Sequence, residues 1–193
     1  MHGLTTEPVA ALDLAFVHDW CALVIVARQA GPDGIERIVV PHYDLRKPTP
    51  SIRLDPIEVA DDYTAIVARH RCIAAVADPH YLEVLRRPML RRGVPLLGAP
   101  AGDGRIRAFV LVRDLLRRHL LVLPREIADH MRAVRMQVRA GGAMSVFADR
   151  TNETGHADLA FALVAAIAHD ERLNGPLGMP TFRGQTFAGG WET

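Results

Sequence analysis

The sequence is poor in several features that would assign it to a common protein class. No apolar run reaches the roughly 18 residues that a membrane-spanning helix needs. The first ten residues lack the basic and then apolar layout of a signal peptide. Only two cysteines are present, Cys21 and Cys72, each within a strand-like apolar run. These absences predict a cytoplasmic protein that does not bind a membrane, with buried thiols favoured over a disulfide.

Several catalytic signatures are missing as well. No Gly-x-Ser-x-Gly elbow supports acyl transfer, and no His-Glu-x-x-His or paired-cysteine spacing supports a zinc site. The chain has no GxxxxGK[ST] phosphate loop, and its only lysine, Lys47, follows no glycine-rich turn. The sequence therefore gives no support to nucleophilic, zinc-dependent or P-loop ATPase chemistry.

Arginine supplies nearly all of the positive charge. The formal net charge is only +1, but most of the arginines lie between residues 86 and 139. This placement has two interpretations. The arginines form a face that binds phosphate groups, or they cover solvated helix surfaces and pair with scattered Asp and Glu residues.

The first part of the chain has the pattern of a small antiparallel sheet. The segments 10–17, 21–28 and 35–43 have the apolar composition of strands, and the Gly-Pro-Asp-Gly sequence at residues 31–34 is a strong turn. Tight turns connect antiparallel neighbours, so we expect these three strands to form a meander.

The pattern then changes to helices that alternate with strands. Asp55 is the predicted N-cap of a helix over residues 57–70 that Pro56 begins. The elements predicted after it are strands at 72–77 and 94–97, helices at 80–92, 105–118, 124–135 and 154–170, an extended segment at 120–123, and a hairpin or irregular loop at 141–150. Helices between strands imply parallel pairing. We therefore expect an α/β domain over residues 1–173 with the RNase H-like layout of three antiparallel strands followed by parallel strands, and a Gly- and Pro-rich tail over residues 174–193.

Three aspartates occupy positions where a carboxylate needs an explanation. Asp13 lies in a strand that otherwise looks buried, where an unpaired carboxylate is costly to desolvate. Asp78 ends a buried strand, at the sheet edge where ligand-binding groups gather in α/β proteins. Asp158 lies in the first turns of the closing helix among alanines that would let the helix approach the sheet. Such carboxylates repel one another unless cations neutralise them, so we expect them to hold Mg²⁺ or Mn²⁺.

Each aspartate also has a purely structural interpretation. Asp13 would cap a bulge or face solvent on an edge strand, and Asp78 before Pro79 would be a turn former. Asp158 would be an exposed residue near the positive end of a helix. Their order along the chain (strand, strand end, last helix) favours a shared site over three separate explanations.

Three segments resemble the nuclease domain of large terminase subunits, the DNA-packaging motors of tailed phages. The stretch ALDLAFVHDWCALVIVAR resembles the opening strand, acidic turn and aliphatic strand of that family. The stretch AVADPHYLEVLRRPMLRRGVP is similar to the segment that bears the second acid, and TGHADLAFALVAAIAHD looks like the closing helix. The resemblance covers roughly residues 8–172, and the third segment is its best motif.

The resemblance implies cleavage of double-stranded DNA by a two-metal mechanism at the start and end of genome packaging. By position, Asp13, Asp78 and Asp158 match the metal ligands, and Asp19 matches a turn acid that holds a metal-bound water. His156 either orients Asp158, contacts DNA or has no catalytic task. The implied partners are a terminase ATPase domain, the small terminase subunit and the portal. The missing phosphate loop favours an excised or separately encoded nuclease half.

Two other hypotheses remain open. The chain is a non-catalytic RNase H-like module that binds DNA or a portal-type partner, or it is a nuclease of the resolvase or transposase type. Acids at all three expected places argue against a lost site, and the Gly-His-Ala-Asp start of the closing helix favours the terminase. In a nuclease, arginines near the site would bind DNA phosphates without reading bases. The candidates are Arg105, Arg107, Arg139 and Arg150.

Overall fold

The computed structural model describes residues 4–15, 20–48, 54–138, 142, 144–151 and 153–177. Within these residues, a five-stranded sheet consists of β1 (Val9–Asp13), β2 (Cys21–Ala30), β3 (Glu36–Arg46), β4 (Ala74–Ala77) and β5 (Leu96–Gly98). The helices are α1 (Pro56–Arg69), α2 (Leu82–Arg91), α3 (Asp103–Arg117), α4 (Arg125–Ala133) and α5 (Asp158–Asn174). A hairpin of β6 (Val134–Val138) and β7 (Met144–Ala148) follows α4.

The sheet has the strand order β3-β2-β1-β4-β5. β1, β2 and β3 pair antiparallel, whereas β1, β4 and β5 pair parallel. The difference follows from the connections, because α1 and α2 cross over before the parallel strands whereas β2 and β3 are joined by a tight turn. The predicted mixed sheet is confirmed.

The sheet separates two hydrophobic layers. Alternate residues of β1 face opposite sides: Val9 and Ala11 pack with α3 and α5, and Ala10 and Leu12 pack with α1 and α2. α5 contacts β1, β2, β4, α3 and α4, which explains why most of its residues are buried. This central helix brings its first residue to the end of the sheet.

Several local predictions are confirmed. The Asp55 side chain accepts from the backbone N–H of Ile57 at 2.7 Å and so caps α1. Cys21 and Cys72 are free and buried. In the described part of the chain, no helix is both long and apolar enough to cross a membrane.

Some predicted boundaries were wrong. β1 ends at Asp13, so this aspartate is the last residue of its strand instead of lying in its middle. α4 ends at Ala133 and leads directly into the hairpin, which therefore begins before residue 141. α5 begins at Asp158 and not at residue 154, because Gly155 and Ala157 have φ of 55° and 63°, and a right-handed helix cannot include such residues.

Candidate active site

Asp13 and Asp78 lie side by side at one end of the sheet. β1 and β4 are parallel and remain paired up to the residues just before the two aspartates. Since side chains alternate between faces, Asp13 falls on the side of Ala11 and Asp78 on the side of Val76. Ala11 and Val76 belong to the core cluster that includes the buried residues of α5. The register of the sheet therefore directs both carboxylates to the face that α5 covers.

Asp158 reaches the same place as the first residue of α5. The chain enters this helix through Gly155 and Ala157, both with positive φ. A Cβ atom on Gly155 would lie 2.5 Å from Oδ2 of Asp158 and 3.1 Å from the Trp20 ring. Only glycine leaves room for the carboxylate at this turn, where Asp158 is 4% exposed.

One cavity, here called the acidic cavity, is lined by all three aspartates. Its volume is about 250 Å³, and Arg105 and His156 complete its polar lining. The rest of its wall is apolar and comes mostly from α3 and α5. Three carboxylates from distant parts of the chain thus share one space.

The carboxylates act on a neighbouring thiol. Burial, together with the smaller effect of the negative charges of Asp13 and Asp158, raises the pKa of Cys21 to about 11. The thiol donates to the carbonyl oxygen of Ala15, with an Sγ–O distance of 3.6 Å. Asp13 and Asp158 are therefore both near enough to affect one group. Cys21 stays protonated, which removes it as a nucleophile.

Asp78 combines a structural role with its place in the cavity. Its Oδ1 accepts from the backbone N–H of His80 at 3.0 Å and caps the 3₁₀ turn Pro79–Tyr81. Its Oδ2 lies 3.8 Å from an Nη of Arg105. The Arg105 guanidinium also stands 5.9 Å from the centre of the Phe161 ring. Turn formation and cavity lining coexist at Asp78, and Arg105 supplies the positive charge of the acidic cavity.

The chemistry of this donor set fits a hard divalent cation. All three aspartates offer carboxylate oxygens, the ligands that Mg²⁺ and Mn²⁺ prefer. In the described part of the chain, however, no three Asp, Glu, His or Cys side chains are already close enough together to chelate an ion. An ion in the acidic cavity would have to draw the carboxylates together and compete with Arg105 for Asp78.

A buried histidine that the sequence analysis missed lies behind Asp158. Nδ1 of His130, on α4, accepts a hydrogen bond from the backbone N–H of Leu159 at 3.3 Å. This N–H is one of those in the first turn of α5 that have no partner within the helix. His130 is 1% exposed, and burial lowers its pKa. Its ring centre lies 6.0 Å from that of Trp20, and Nζ of Lys47 stands 3.9 Å above the Trp20 ring. Nothing in the α4 sequence indicates this contact, because it joins residues 29 positions apart.

The other predicted site residues are divided among several places. His156 is exposed, and its Nδ1 lies 3.3 Å from the carbonyl oxygen of Ala148. Arg107 lines a neighbouring cavity, and Arg150 is exposed just after β7. Two predicted residues lie outside the described part of the chain: Asp19 and Arg139.

Most of the chain matches a known protein family. The family model of the terminase RNase H-like domain matches residues 10–170. No curated protein matches the sequence.

Solved structures of phage terminases are similar to the chain. The crystal structure of the HK97 bacteriophage large terminase superposes with a TM-score of 0.65 and 17% identity, over 88% of this chain and 40% of that one. The large terminase nuclease of thermophilic phage G20c, in a crystal structure with bound magnesium, gives a TM-score of 0.59 and 13% identity, over 86% of this chain and 83% of that one.

A junction-binding protein has a related fold. The structure of T. thermophilus RuvC in complex with a Holliday junction substrate gives a TM-score of 0.52 and 17% identity, over 88% of this chain and 98% of that one. At such identities the likeness shows a shared fold. The predicted RNase H-like layout is confirmed.

Proposed function

Because the chain belongs to the family of terminase RNase H-like domains, we propose that it is a divalent-metal-dependent endonuclease that cleaves double-stranded DNA. The observation that carries this proposal is the convergence of Asp13, Asp78 and Asp158 on one cavity. That cavity lies where the parallel strands β1 and β4 end, the edge at which α/β proteins commonly hold their ligands.

The three aspartates are assigned to hold two ions of Mg²⁺ or Mn²⁺, with Asp19 as a ligand through water. Such a pair of ions, when bound, activates water for attack on a phosphodiester and stabilises the leaving oxygen. The bound magnesium in the G20c terminase nuclease supports this choice of ion. The remaining tasks fall to the protein: Arg105 binds a DNA phosphate beside the carboxylates, and His156 orients Asp158 or contacts the strand.

The biological setting is inferred from the relatives. The chain spans 40% of the HK97 large terminase chain that it matches, so packaging as a whole would require further parts. We infer cleavage at the start and end of phage genome packaging in the cytoplasm of the bacterial host. The inferred partners are double-stranded DNA, a terminase ATPase domain, the small terminase subunit and the portal.

Plasmid cleavage tests the proposal. We expect Mg²⁺ or Mn²⁺ to support cleavage, EDTA to stop it, and Asp13→Asn to abolish it. Asp114→Asn is the matched control, because Asp114 is 53% exposed and pairs with Arg113 away from the acidic cavity. Cleavage that persists in the Asp→Asn variants at positions 13, 78 and 158 would overturn the site assignment.

Two arms of the same experiment separate the alternatives. DNA binding without cleavage in either metal, at low salt, would favour a non-catalytic module. A four-way junction cut in preference to a linear duplex would favour a resolvase, the activity class suggested by the likeness to RuvC. Equal or better cleavage of the linear duplex supports the terminase-type nuclease.

A further inference from the structure

A second cavity with the opposite charge adjoins the acidic cavity, and it is here called the basic cavity. Its volume is about 500 Å³. Its charged lining comes from Arg107 on α3 and from Arg172 and Glu171 on α5, with His169 as a further polar group. His169 is 4% exposed, and burial lowers its pKa. The positive charge of the basic cavity near pH 7 therefore comes from its two arginines, with Glu171 offsetting one of them.

These two arginines lack the acidic partners that several other arginines on the surface have. Many exposed arginines pair with acidic neighbours, as Arg91 does with Asp61 and Arg132 does with Asp129. Arg107 and Arg172 are exposed. Among the residues that the structure describes, neither arginine makes a hydrogen bond or an ion pair. Their guanidinium groups are thus available to a ligand.

The basic cavity shares part of its wall with the acidic cavity. Ala99, Pro100 and Ala108 line both of them. On its other side, Gly98 and Arg172 also line a further cavity of about 280 Å³. The shared residues place the three cavities side by side near β5, the edge strand of the sheet. This row of cavities, here called the groove, begins at the three aspartates.

We propose that Arg107 and Arg172 bind a phosphate group of the DNA strand a few nucleotides away from the phosphate that is cleaved in the acidic cavity. This inference rests on the proposed nuclease function and adds a substrate-binding subsite to it. Arg172 follows Asp158 by 14 residues on α5, which is about 21 Å along the helix axis. Phosphates of one DNA strand recur about every 3.4 Å along the DNA axis, so a strand seated on the aspartates brings a phosphate a few nucleotides away within reach of the adjoining groove.

The chemistry of the two arginines suits this ligand. A guanidinium is always charged and presents a planar fork that matches two phosphate oxygens. Two such groups, against the single carboxylate of Glu171 in the same cavity, reduce the repulsion that three carboxylates exert on an incoming polyanion. The small residues Gly98, Ala99 and Pro100 in the wall of the groove leave the strand backbone room to approach.

DNA binding as a function of salt concentration tests the proposal without using cleavage. The double variant Arg107→Gln, Arg172→Gln is compared with Arg69→Gln, Arg87→Gln, two exposed arginines on α1 and α2 on the opposite side of the sheet. Affinity for a short labelled duplex is measured by fluorescence anisotropy in EDTA, and thermal unfolding checks that both variants fold.

The expected change is set by counterion release. Loss of one phosphate contact lowers the slope of log K against log salt by about 0.9, which is about eightfold weaker binding at 0.1 M salt. The slope of log K against log salt should change less in the control variant than in the double variant, because the control arginines lie away from the groove. An unchanged slope in the folded double variant would overturn the proposal.

Inorganic phosphate distinguishes a DNA subsite from a site for the free anion. If phosphate shifts the NMR signals of His169 and the double variant loses that shift but binds DNA normally, the ligand is free phosphate and the proposal fails. Failure of the nuclease itself gives a different result. Wild-type protein that cuts no DNA, with the slope still reduced in the double variant, would refute cleavage and leave the phosphate subsite standing.

Discussion

Helix α5 carries a buried aspartate at each end, and the two ends differ in how their charge is balanced. At the C-terminal end, Asp170 is fully buried, accepts from Nε of Arg28 at 2.8 Å and from the side-chain amide of Asn174 at 2.9 Å. At the N-terminal end, Asp158 shares a cavity with two further aspartates. A buried carboxylate is therefore no indication of function by itself, and its neighbours decide between a structural tie and a ligand site.

The Arg28–Asp170 pair has the features of a structural tie. Arg28, on β2, is 2% exposed and also donates from Nη2 to the carbonyl oxygen of Gly175 at 2.5 Å. Both charges are thus satisfied by fixed partners, which a buried ion pair requires to be tolerated. The acidic cavity is lined by three aspartates and one arginine, Arg105, whose Nη lies 3.8 Å from Asp78. Its charged lining is thus predominantly negative, which is the property that a cation site needs.

The largest expected effect is on cleavage at the N-terminal end. Asp158→Asn should reduce the cleavage rate at least about a thousandfold, equivalent to roughly 4 kcal/mol in the barrier, because it removes one carboxylate from the proposed ion site. Without metal, its Tm should stay close to that of the wild type, since the amide occupies the same volume as the carboxylate. Plasmid cleavage and thermal unfolding measure the two effects. A large fall in Tm would mean that Asp158, like Asp170, has a structural role.

The next largest effect is on stability at the C-terminal end. Asp170→Asn removes the buried counterion of Arg28 and leaves only the longer ion pair with Glu36, at 3.7 Å, so it should reduce the free energy of unfolding by up to about 3–5 kcal/mol. The double variant Arg28→Met, Asp170→Leu should recover much of this loss, because it removes both charges. Chemical denaturation measures the free energy of unfolding of each variant. Cleavage by the folded fraction of Asp170→Asn should stay near wild type, and its loss would contradict a purely structural role.

A smaller effect is expected at the entrance to α5. Gly155→Ala puts a methyl group against Asp158 and Trp20 and forces alanine to a positive φ, which costs about 1–2 kcal/mol. The matched control is Gly34→Ala, where φ is 75° but no atom lies within 4 Å of the added Cβ. Both variants should lose similar stability from backbone strain.

The two glycine variants should differ in cleavage. In Gly155→Ala, the added methyl group should displace the Asp158 carboxylate by up to about 1 Å, which should reduce the cleavage rate by up to about a hundredfold. Gly34→Ala should cleave like the wild type. Equal cleavage by both variants, measured on the same plasmid, would mean that the close packing at Gly155 does not set the position of Asp158.

The smallest effect concerns pH. Burial lowers the pKa of His169, so as pH falls through about 6.5 the unfolded chain takes up a proton that the folded chain resists. Stability should therefore decrease between pH 7.5 and 5.5. His169→Gln should weaken this dependence in part, because His130 and His70 also have pKa values that burial lowers. Tm measured at both pH values is the readout, with the exposed His80→Gln as control, and a wild-type Tm that rises on acidification would contradict it.

The comparison also separates what the sequence could predict from what it could not. Local signals sufficed for the tight turn before β3, for the Asp55 cap of α1 and for the buried strand β4, because each depends on a few adjacent residues. The three aspartates were found because a carboxylate is unusual at each position and because the segments resemble a family. Their proposed roles as ligands remain a prediction.

Contacts between distant residues had no signal in one sequence. Arg28 and Asp170 are 142 positions apart, and nothing in their neighbourhoods marks them as partners. The extension of α4 to residue 135 was wrong because arginine and methionine suit a helix, whereas pairing with β7 makes residues 134–138 a strand. The start of α5 depends on left-handed backbone at Ala157, a residue type that seldom adopts it.

The two thiols have a practical consequence. Burial raises the pKa of Cys21 to about 11 and that of Cys72 to about 12, so neither forms an appreciable amount of the thiolate that maleimide dyes attack at neutral pH. The native chain should therefore stay unlabelled, and a single exposed substitution such as Arg87→Cys should take up one fluorophore. A dye there, on the side of the sheet away from α5, would report the arrival of a labelled duplex by energy transfer while both natural thiols remain in place.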